Sequence, residues 1–307
     1  MKRLLYILVA AMMFFSCSSD DKKVAPDDKD PIENPDPADP GNPDEQNKIG
    51  LKVISFNILR YEGLTAWNAR RDACVKMIET EDPDVIGFQE PIRSQIDYLA
   101  GELPQYAHIE IENNPGGSFN LFNVIMYKKD KFNLLDEGRY WLRPTYDSPG
   151  GASEWGDPSS HRSVVWAHLK DKATGKDFFF FCTHQSLVSM ARLEGAKVSV
   201  ERMKQIAGYS KPIFLVGDMN ASNVATDSRK AELAPYNEWM FDAQSKSPVT
   251  DNKHSFNQLG EGTPLEQWRI DIIFYRMVKP LKYETLDGNY GVEYISDHYP
   301  VAFTCEF

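Results

Sequence analysis

The sequence has few cysteines and fewer basic than acidic residues. Its 307 residues include 4 Cys, and 34 Lys and Arg stand against 45 Asp and Glu, for a net charge of −11. So low a cysteine content excludes a disulfide-dense scaffold, and Cys74, Cys182 and Cys305, which lie on apolar runs, are predicted to be buried thiols. The acidic balance argues against a protein that binds along nucleic-acid phosphates through surface charge. A small or locally held phosphate group is compatible with it.

Several short catalytic motifs are also missing. There is no paired-cysteine or His-Glu-x-x-His spacing for zinc, no glycine-rich loop ending in Lys-Ser/Thr for nucleotide phosphates, and no Gly-x-Ser-x-Gly of a serine hydrolase. The aromatic content of 12% excludes a wholly disordered chain. The sequence therefore predicts a folded protein whose chemistry would use other groups.

The first residues resemble a bacterial lipoprotein signal. Lys2 and Arg3 precede an apolar run of 12 residues, Leu4–Phe15, which is too short for a bilayer-spanning helix of roughly 20 residues. Phe-Ser-Cys follows at 15–17, so residues 1–17 are predicted to be a signal peptide with Cys17 lipidated. The acidic residues after Cys17 resemble the signal that exports some Bacteroidetes lipoproteins to the cell surface. Cleavage elsewhere, with Cys17 discarded, is the alternative.

Residues 18–48 differ in composition from the rest of the chain. They hold six prolines, ten acidic residues and four lysines with almost no apolar residue, so they are predicted to be a disordered linker. Fully extended, the linker would reach about 100 Å. Without the +2 of the signal and the −6 of the linker, residues 49–307 carry −7. They are predicted to form one acidic domain, in contact with a membrane only through the lipid.

Short apolar runs and helical patterns follow one another through the domain. The runs are apolar at nearly every position, as expected for strands of sheets covered on both faces. An α/β fold with packed sheets is predicted, and the glycine- and proline-rich residues 143–161 are predicted to be a functional loop. The predicted helices are Trp67–Ile78 and Leu187–Ala207, and the predicted strands are Leu51–Asn57, Val85–Gln89, Val124–Tyr127, Ser163–Leu169, Phe178–Thr183, Ile213–Gly217, Ile270–Tyr275 and Val301–Cys305.

Polar residues stand where many of these runs end. Each alone is explained by a turn or a hydrogen bond, but carboxylates, amides and two histidines at several strand ends would meet at one edge of the sheets. Hard oxygen ligands of this kind suit Mg²⁺. The residues are Asn57, Glu90, His184, Asp218, Asn220, Asp271, Asp297 and His298.

Six motifs occur in order along the domain. They are Ser55-Phe56-Asn57, Asp84–Glu90 ending in Gln-Glu, Thr183-His184, Gly217-Asp218-Met219-Asn220, Arg269-Ile270-Asp271-Ile272-Ile273 and Ser296-Asp297-His298-Tyr299-Pro300. In this order they resemble the motifs of the endonuclease/exonuclease/phosphatase superfamily, which has the DNase I-like fold. The resemblance covers Leu51 to Phe307 and implies a four-layer α-β-β-α sandwich, in which two packed β-sheets are flanked by helices.

The resemblance also implies the metal ligands. Glu90 would be the principal ligand of Mg²⁺, with Asn57 and Asp297 in the same sphere, and Mn²⁺ could replace Mg²⁺. Leu59 stands where some nucleases of the family have an aspartate, which argues against a second metal.

The remaining motif residues would carry out the chemistry. His298, oriented by Asp271, would serve as general acid/base or polarise the phosphate. Asp218 would position or deprotonate the attacking water, and Asn220 and His184 would bind phosphoryl oxygens. Together with the metal they would stabilise the charge that develops on phosphorus.

Two further assignments keep their alternatives. Arg162 resembles a phosphate-contacting position and suits a bidentate clamp on oxygens, or else it forms a surface ion pair. Ser186 stands where many relatives have Asp or Asn, and it cannot supply a carboxylate charge. Five aromatic residues form either a substrate rim or part of the core: Trp67, Tyr140, Trp141, Tyr146 and Trp155.

These features predict a lipid-tethered, Mg²⁺-dependent enzyme that hydrolyses a phosphoester, with a phosphodiester as the first expectation. Extracellular nucleic acid, a phospholipid headgroup and a phosphorylated glycan are all open as substrates. The protein is expected to be a monomeric lipoprotein of the outer membrane that faces the cell surface or the periplasm. The alternative is a surface binding lipoprotein that keeps the fold without the chemistry.

Overall fold

A computed structural model describes residues 48–60, 66–117 and 120–307. The predicted signal peptide, the lipidation of Cys17 and the linker up to residue 47 lie outside these residues. Within the described part of the chain, no helix has both the length and the apolar character needed to cross a bilayer.

Two six-stranded β-sheets form the centre of the domain, and helices cover their outer faces. The helices are α1 (Trp67–Glu81), α2 (Arg93–Glu102), α3 (Ser189–Ala207), α4 (Ala234–Trp239) and α5 (Ala243–Lys246). The strands are β1 (Gly50–Asn57), β2 (Val85–Gln89), β3 (Tyr106–Glu112), β4 (Phe122–Lys128), β5 (Phe132–Trp141), β6 (Ser163–Asp171), β7 (Asp177–His184), β8 (Ile213–Asp218), β9 (Phe241–Asp242), β10 (Asp271–Arg276), β11 (Lys279–Thr285) and β12 (Val301–Glu306).

Each sheet has one parallel pair of strands near its centre. The first sheet has the order β11-β12-β1-β2-β4-β3, with β1 parallel to β2 and Asn57 paired with Gln89 at their carboxyl ends. The second has the order β5-β6-β7-β8-β10-β9, with β7 parallel to β8 and His184 paired with Asp218. Because strands of a parallel pair end at the same edge, each sheet presents a pair of polar residues side by side.

Three apolar layers account for the four-layer arrangement. Side chains from the inner faces, such as Val53 and Phe180, pack between the sheets. Ile54 and its outward-facing neighbours pack against α1 and α2, while Leu215 belongs to the layer under α3 and α4. The strands are thus buried on both faces, which explains their continuous apolar runs. The predicted α-β-β-α sandwich with the DNase I-like fold is confirmed.

Gly217 allows β8 to approach β7 closely. A Cβ at this position would lie 2.1 Å from the carbonyl oxygen of Thr183, far inside van der Waals contact. The glycine therefore permits the register that places Asp218 beside His184.

The predicted core strands and both predicted helices are present with small differences at their ends. Four strands were not predicted from the sequence, and all of them lie at the edges of the sheets: β3, β5, β9 and β11. An edge strand such as β5 is exposed over much of its length, so it lacks the apolar run that marks a central strand. Residues 143–161 form the predicted long loop, which contains one short 3-10 turn at Ser153–Trp155. Cys74, Cys182 and Cys305 are buried free thiols, as predicted.

Candidate active site

The polar residues at the strand ends of both sheets meet in one cleft of ≈ 700 Å³. Asn57 at the end of β1 lies at this cleft, because its Nδ2 is 3.1 Å from Asp218 Oδ2 at the end of β8. That contact joins the first sheet to the second. The predicted site residues that line the cleft wall are Glu90, Arg162, His184, Asp218, Asn220, Asp297 and His298.

Glu90 and Asn220 hold backbone conformations that few side chains adopt. Their φ angles are 67° and 49°, in the left-handed region. Such strain is tolerated where the surrounding structure fixes a side chain in place, and it concentrates at functional sites. Glu90 directly follows Gln89 at the end of β2, and Asn220 lies two residues after Asp218 at the end of β8, so the turn after each strand directs the side chain into the cleft.

Asp271 and His298 form a buried pair. Asp271 begins β10 of the second sheet, His298 precedes β12 of the first, and His298 Nδ1 lies 2.7 Å from Asp271 Oδ2. Burial alone would lower the pKa of His298. The charge and hydrogen bond of Asp271, with the charges of Asp218 and Asp297, outweigh it and raise that pKa to about 10. His298 is therefore an imidazolium at neutral pH, with Nε2 facing Asp218 Oδ2 at 3.8 Å.

Asp218 lies at the centre of the site. Its Oδ1 accepts a hydrogen bond of 2.9 Å from the Asn220 backbone N–H, and its Oδ2 lies 3.3 Å from His184 Nε2. Burial raises the pKa of Asp218 to about 6; the charges of Asp271 and Glu90 add to the rise, and the charge of His298 opposes it. A carboxylate with this pKa is ionised at neutral pH and remains basic enough to take a proton from water.

His184 and Asn220 line the cleft side by side. Asn220 Nδ2 donates to the Gln185 carbonyl at 3.0 Å and lies 3.1 Å from His184 Nε2. Burial, together with the positive charges of Arg162 and His298, holds the pKa of His184 well below its usual value. His184 is therefore a neutral imidazole, suited to hydrogen bonding and not to carrying charge.

Arg162 lines the cleft near the carboxylates of Asp218 and Glu90. Its Nε is buried and has no hydrogen-bond partner among the described residues. The Arg162 side chain also forms no ion pair with any residue that the structure describes. Burial lowers the pKa of Arg162, and the charges of Asp218 and Glu90 counteract the effect. A guanidinium with an unused buried donor at the cleft can bind a phosphoryl oxygen.

Glu90 and Asp297 have the chemistry of a divalent-cation site. Both carboxylates line the cleft. Burial raises the pKa of Asp297, His298 lowers it, and the charge of Glu90 raises it further. A cation would relieve this repulsion, and two hard carboxylates at a cleft suit Mg²⁺ or Mn²⁺. Asn57 presents Nδ2 to Glu90 at 3.4 Å while its Oδ1 accepts from the Leu59 N–H at 3.2 Å, so Asn57 would need its amide rotated to be a ligand.

A second acidic grouping overlaps the site. Asp218, Asp271 and His298 have ligand atoms that all lie within 4.8 Å of one another. However, Nδ1 of His298 already engages Asp271, and the imidazolium form offers no lone pair to a metal. This grouping therefore fits proton transfer better than metal binding.

Several cleft residues were not singled out in the sequence, among them the large side chains of Arg60, Arg229, Phe256 and Trp268. Trp268 directly precedes the Arg-Ile-Asp motif and Phe256 lies in a Ser-Phe-Asn triplet like that of residues 55–57, which are signals that sequence reasoning could have used. No sequence motif marked Arg229 as a cleft residue. It bonds Asp227, the Asn220 carbonyl at 3.0 Å and the Gln267 carbonyl at 3.3 Å, and so braces the cleft wall.

The aromatic rim that the sequence allowed is wrong. Trp67, Tyr140 and Trp141 are buried in the apolar layers, and neither Tyr146 nor Trp155 lines the cleft. The cleft's aromatic residues are instead Phe256 and Trp268, whose ring centroids are 5.5 Å apart. Phe256 also lies 5.0 Å from the His298 ring, so the aromatic pair continues the wall on the His298 side.

The fold and the site together define a class of protein. Two packed sheets with carboxylates, amides and a buried Asp–His pair at one edge form the architecture of the DNase I-like hydrolases. Residues 54–298 match the model of the Endonuclease/Exonuclease/phosphatase family, and the chain belongs to this family. Its membership and its acidic cleft support metal-dependent hydrolysis of a phosphoester as the general activity.

Solved structures show the same relationship. An endonuclease/exonuclease/phosphatase family protein from Bacteroides thetaiotaomicron is 27% identical, with a TM-score of 0.77, over 85% of this chain and 96% of that one. A mannosyl-6-phosphatase from the same species is 28% identical, with a TM-score of 0.75, over 84% of this chain and all of that one. Among proteins compared by sequence, an uncharacterized protein of Acanthamoeba polyphaga mimivirus is 25% identical over 83% of this chain and its own full length.

Proposed function

We propose that this protein is a Mg²⁺-dependent phosphoesterase and that its substrate is a small phosphorylated carbohydrate. The observation that supports catalysis most directly is the His298–Asp271 hydrogen bond beside Asp218 in a cleft that also holds Glu90 and Asp297. A binding protein that kept only the fold would have no need of a buried charged pair, which costs free energy to desolvate.

The cleft residues have separate roles in the proposed hydrolysis. Asp218 accepts a proton from the attacking water, because its pKa of about 6 leaves it ionised at neutral pH. His298 donates from Nε2 to the leaving oxygen or to a phosphoryl oxygen. Arg162, Asn220 and His184 hold the other phosphoryl oxygens. A divalent cation bound by Glu90 and Asp297 would neutralise the charge that develops on the phosphoryl group.

Three features favour a small carbohydrate over the other substrates. The cleft has a volume of ≈ 700 Å³, the size of a small-molecule site, and residues 49–307 carry a charge of −7, which repels long polyanions. The Phe256–Trp268 wall lies on the His298 side, where a leaving group would be protonated, and an aromatic face packs well against the C–H face of a sugar ring. The structural relative whose name records a mannosyl-6-phosphatase adds support.

The test is a substrate panel assayed with the purified protein, with and without Mg²⁺. The panel contains mannose 6-phosphate, p-nitrophenyl phosphate, bis(p-nitrophenyl) phosphate, sphingomyelin and double-stranded DNA. It distinguishes a sugar substrate from a lipid or a nucleic acid, and a phosphomonoester from the phosphodiester expected from the sequence. We expect chelator-sensitive phosphate release from the sugar phosphate. No turnover of any phosphoester by folded protein would favour the binding lipoprotein instead.

Substitution of Trp268 tests separately whether the aromatic wall binds a sugar. Trp268→Ala should raise KM for the sugar phosphate at least tenfold while changing KM for p-nitrophenyl phosphate much less. Trp155→Ala is the matched control, because Trp155 is also half-buried but lies away from the cleft. Equal effects of Trp268→Ala on both substrates would count against a sugar-binding wall.

We further propose that residues 1–17 are a lipoprotein signal, that Cys17 carries the lipid, and that residues 18–48 hold the domain of residues 49–307, as a monomer, away from the outer membrane. The basic start, the short apolar run and the Cys support this, as does the Bacteroides origin of structural relatives. Radiolabelled palmitate should label the wild-type chain and not Cys17→Ser. Protease treatment of intact cells would separate the cell-surface from the periplasmic orientation, and light scattering would test the monomer.

A further inference from the structure

The segment Ser255–Asn257 touches both halves of the catalytic pair. Asp271 belongs to a strand of the second sheet and His298 leads into a strand of the first, so their hydrogen bond joins elements that no shared sheet holds in register. Catalytic hydrogen bonds tolerate displacements of only about 0.5 Å. Some other part of the chain must therefore fix the two strand ends relative to one another.

Ser255 fixes the Asp271 side. It is fully buried, and its Oγ accepts hydrogen bonds from the backbone N–H groups of Ile270 at 3.1 Å and Asp271 at 3.0 Å. The same hydroxyl donates to the Trp268 carbonyl at 3.3 Å. The one donor and both acceptor positions of the Ser255 hydroxyl are therefore bonded to residues at or just before the start of β10.

Asn257 fixes the His298 side. Its backbone N–H donates to the Asp297 carbonyl at 2.8 Å, and its Nδ2 donates to the Ser296 carbonyl at 3.2 Å. The Asn257 side chain is buried, and its Oδ1 accepts from the Leu259 N–H at 2.8 Å, which orients the amide.

The residues between and beside these two complete the connection. Phe256 forms an antiparallel bridge with His298 and lays its ring 5.0 Å from the imidazole. The Tyr299 N–H donates to the Ser255 carbonyl at 2.7 Å. Three consecutive residues thus bond the chain at residues 268–271 on one side and at residues 296–299 on the other.

We propose that Ser255 and Asn257 are positioning residues that hold Asp271 in register with Asp297 and His298. Neither side chain lines the cleft, so both act through the residues they bond. The inference rests on the proposed phosphoesterase function only for its kinetic consequence. The geometric consequence, a displaced Asp271–His298 contact, holds whatever the reaction is.

The experiment compares Ser255→Ala with Ser255→Thr, which keeps the hydroxyl, and with Ser199→Ala, which removes another fully buried serine away from the cleft. We expect Ser255→Ala to lower kcat by about 10²-fold with KM changed less than twofold, because small misplacements of catalytic groups cost about that much. Ser255→Thr should recover most of the loss, and Ser199→Ala should behave as wild type. A kcat for Ser255→Ala equal to that of Ser199→Ala overturns the inference.

Two readouts do not depend on turnover. A crystal structure of Ser255→Ala should show the His298 Nδ1–Asp271 Oδ2 distance lengthened from 2.7 Å; an unchanged distance overturns the inference. If Ser255→Ala does not fold, Asn257→Ala is the second variant, because Asn257 lies on an irregular loop. Since Asn257 bonds the Asp297 carbonyl, this variant should weaken Mn²⁺ binding, measured by calorimetry, at least fivefold. A wild-type protein inactive on the whole substrate panel would refute the proposed function while these two readouts still decide the positioning role.

Discussion

Asp271→Asn isolates the charge of the buried pair from its shape. The amide oxygen can still accept a hydrogen bond from His298 Nδ1, so the 2.7 Å contact need not be lost. What disappears is the negative charge that is the main reason why the pKa of His298 lies near 10 despite burial. Asp218 and Asp297 still stabilise the imidazolium, but without Asp271 the pKa of His298 should fall toward its ordinary value of 6.5.

The sign of the pH effect follows from the form that His298 needs as an acid. In the wild type its raised pKa keeps it protonated up to about pH 10. In the variant the protonated fraction falls as the pH rises above about 6.5, to roughly 1% at about pH 8.5. Since only the protonated fraction can act as the acid, kcat at about pH 8.5 should fall by up to about 100-fold, or about 3 kcal/mol in the barrier, which lies within the about 10²–10⁴-fold that general acid–base catalysis contributes.

The assay is a kcat profile from about pH 5.5 to about pH 9, with saturating Mg²⁺ and a sugar phosphate. The ratio of wild-type to variant kcat should grow by up to about 100-fold across this range, because the variant loses its acid only in the alkaline part. Asp171→Asn is the control: Asp171 is also buried, but it lies at the opposite end of β6 from Arg162 and should leave the profile unchanged.

A ratio that stays constant with pH would refute the reasoning. It would mean that Asp271 acts only by orienting the imidazole and that its charge does not set the protonation state of His298. A variant with unaltered kcat at every pH would remove His298 from proton transfer altogether.

Three further predictions follow from the site. Glu90→Gln should weaken Mn²⁺ binding measured by calorimetry at least tenfold, and turnover should recover in excess metal; unchanged affinity would place the cation elsewhere. Activity of the wild type should rise with pH through about 6 as Asp218 ionises, and a rate that stays level between about pH 5 and 7 would contradict its role as the base. Arg162→Ala should lower kcat/KM by about 10²-fold, with partial rescue by added guanidinium and less recovery in Arg162→Lys; a change below threefold would favour a purely structural arginine.

The central part of the fold could be predicted because its physical signal is local. Strands buried on both faces read as unbroken apolar runs, and Ala196, Val200, Met203 and Ala207 mark the buried face of α3 at helical spacing. The edge strands β3, β5, β9 and β11 could not be predicted in the same way. Their pairing on one side only leaves mixed sequences that resemble loops.

Much of the site could be predicted too, because polar residues that follow apolar runs stand out. Glu90, Asp218 and His298 were recognised by type and order, and the structure gathers them at one cleft. Phe256 and Trp268 escaped because an aromatic residue next to a strand is as well explained by the core as by a ligand wall. The Ser-Phe-Asn triplet around Phe256 and the motif that follows Trp268 mark both as candidates, but only the structure places their rings at the cleft.

The sequence by itself determined which residues could supply acid, base and metal ligands, because those capacities belong to side-chain chemistry. Only the tertiary structure decided their protonation states and partners. His298 is a strong base and His184 a weak one because the first is surrounded by carboxylates and the second by burial and positive charge. These surroundings arise from residues far apart in the chain, brought together where two sheets end at one edge.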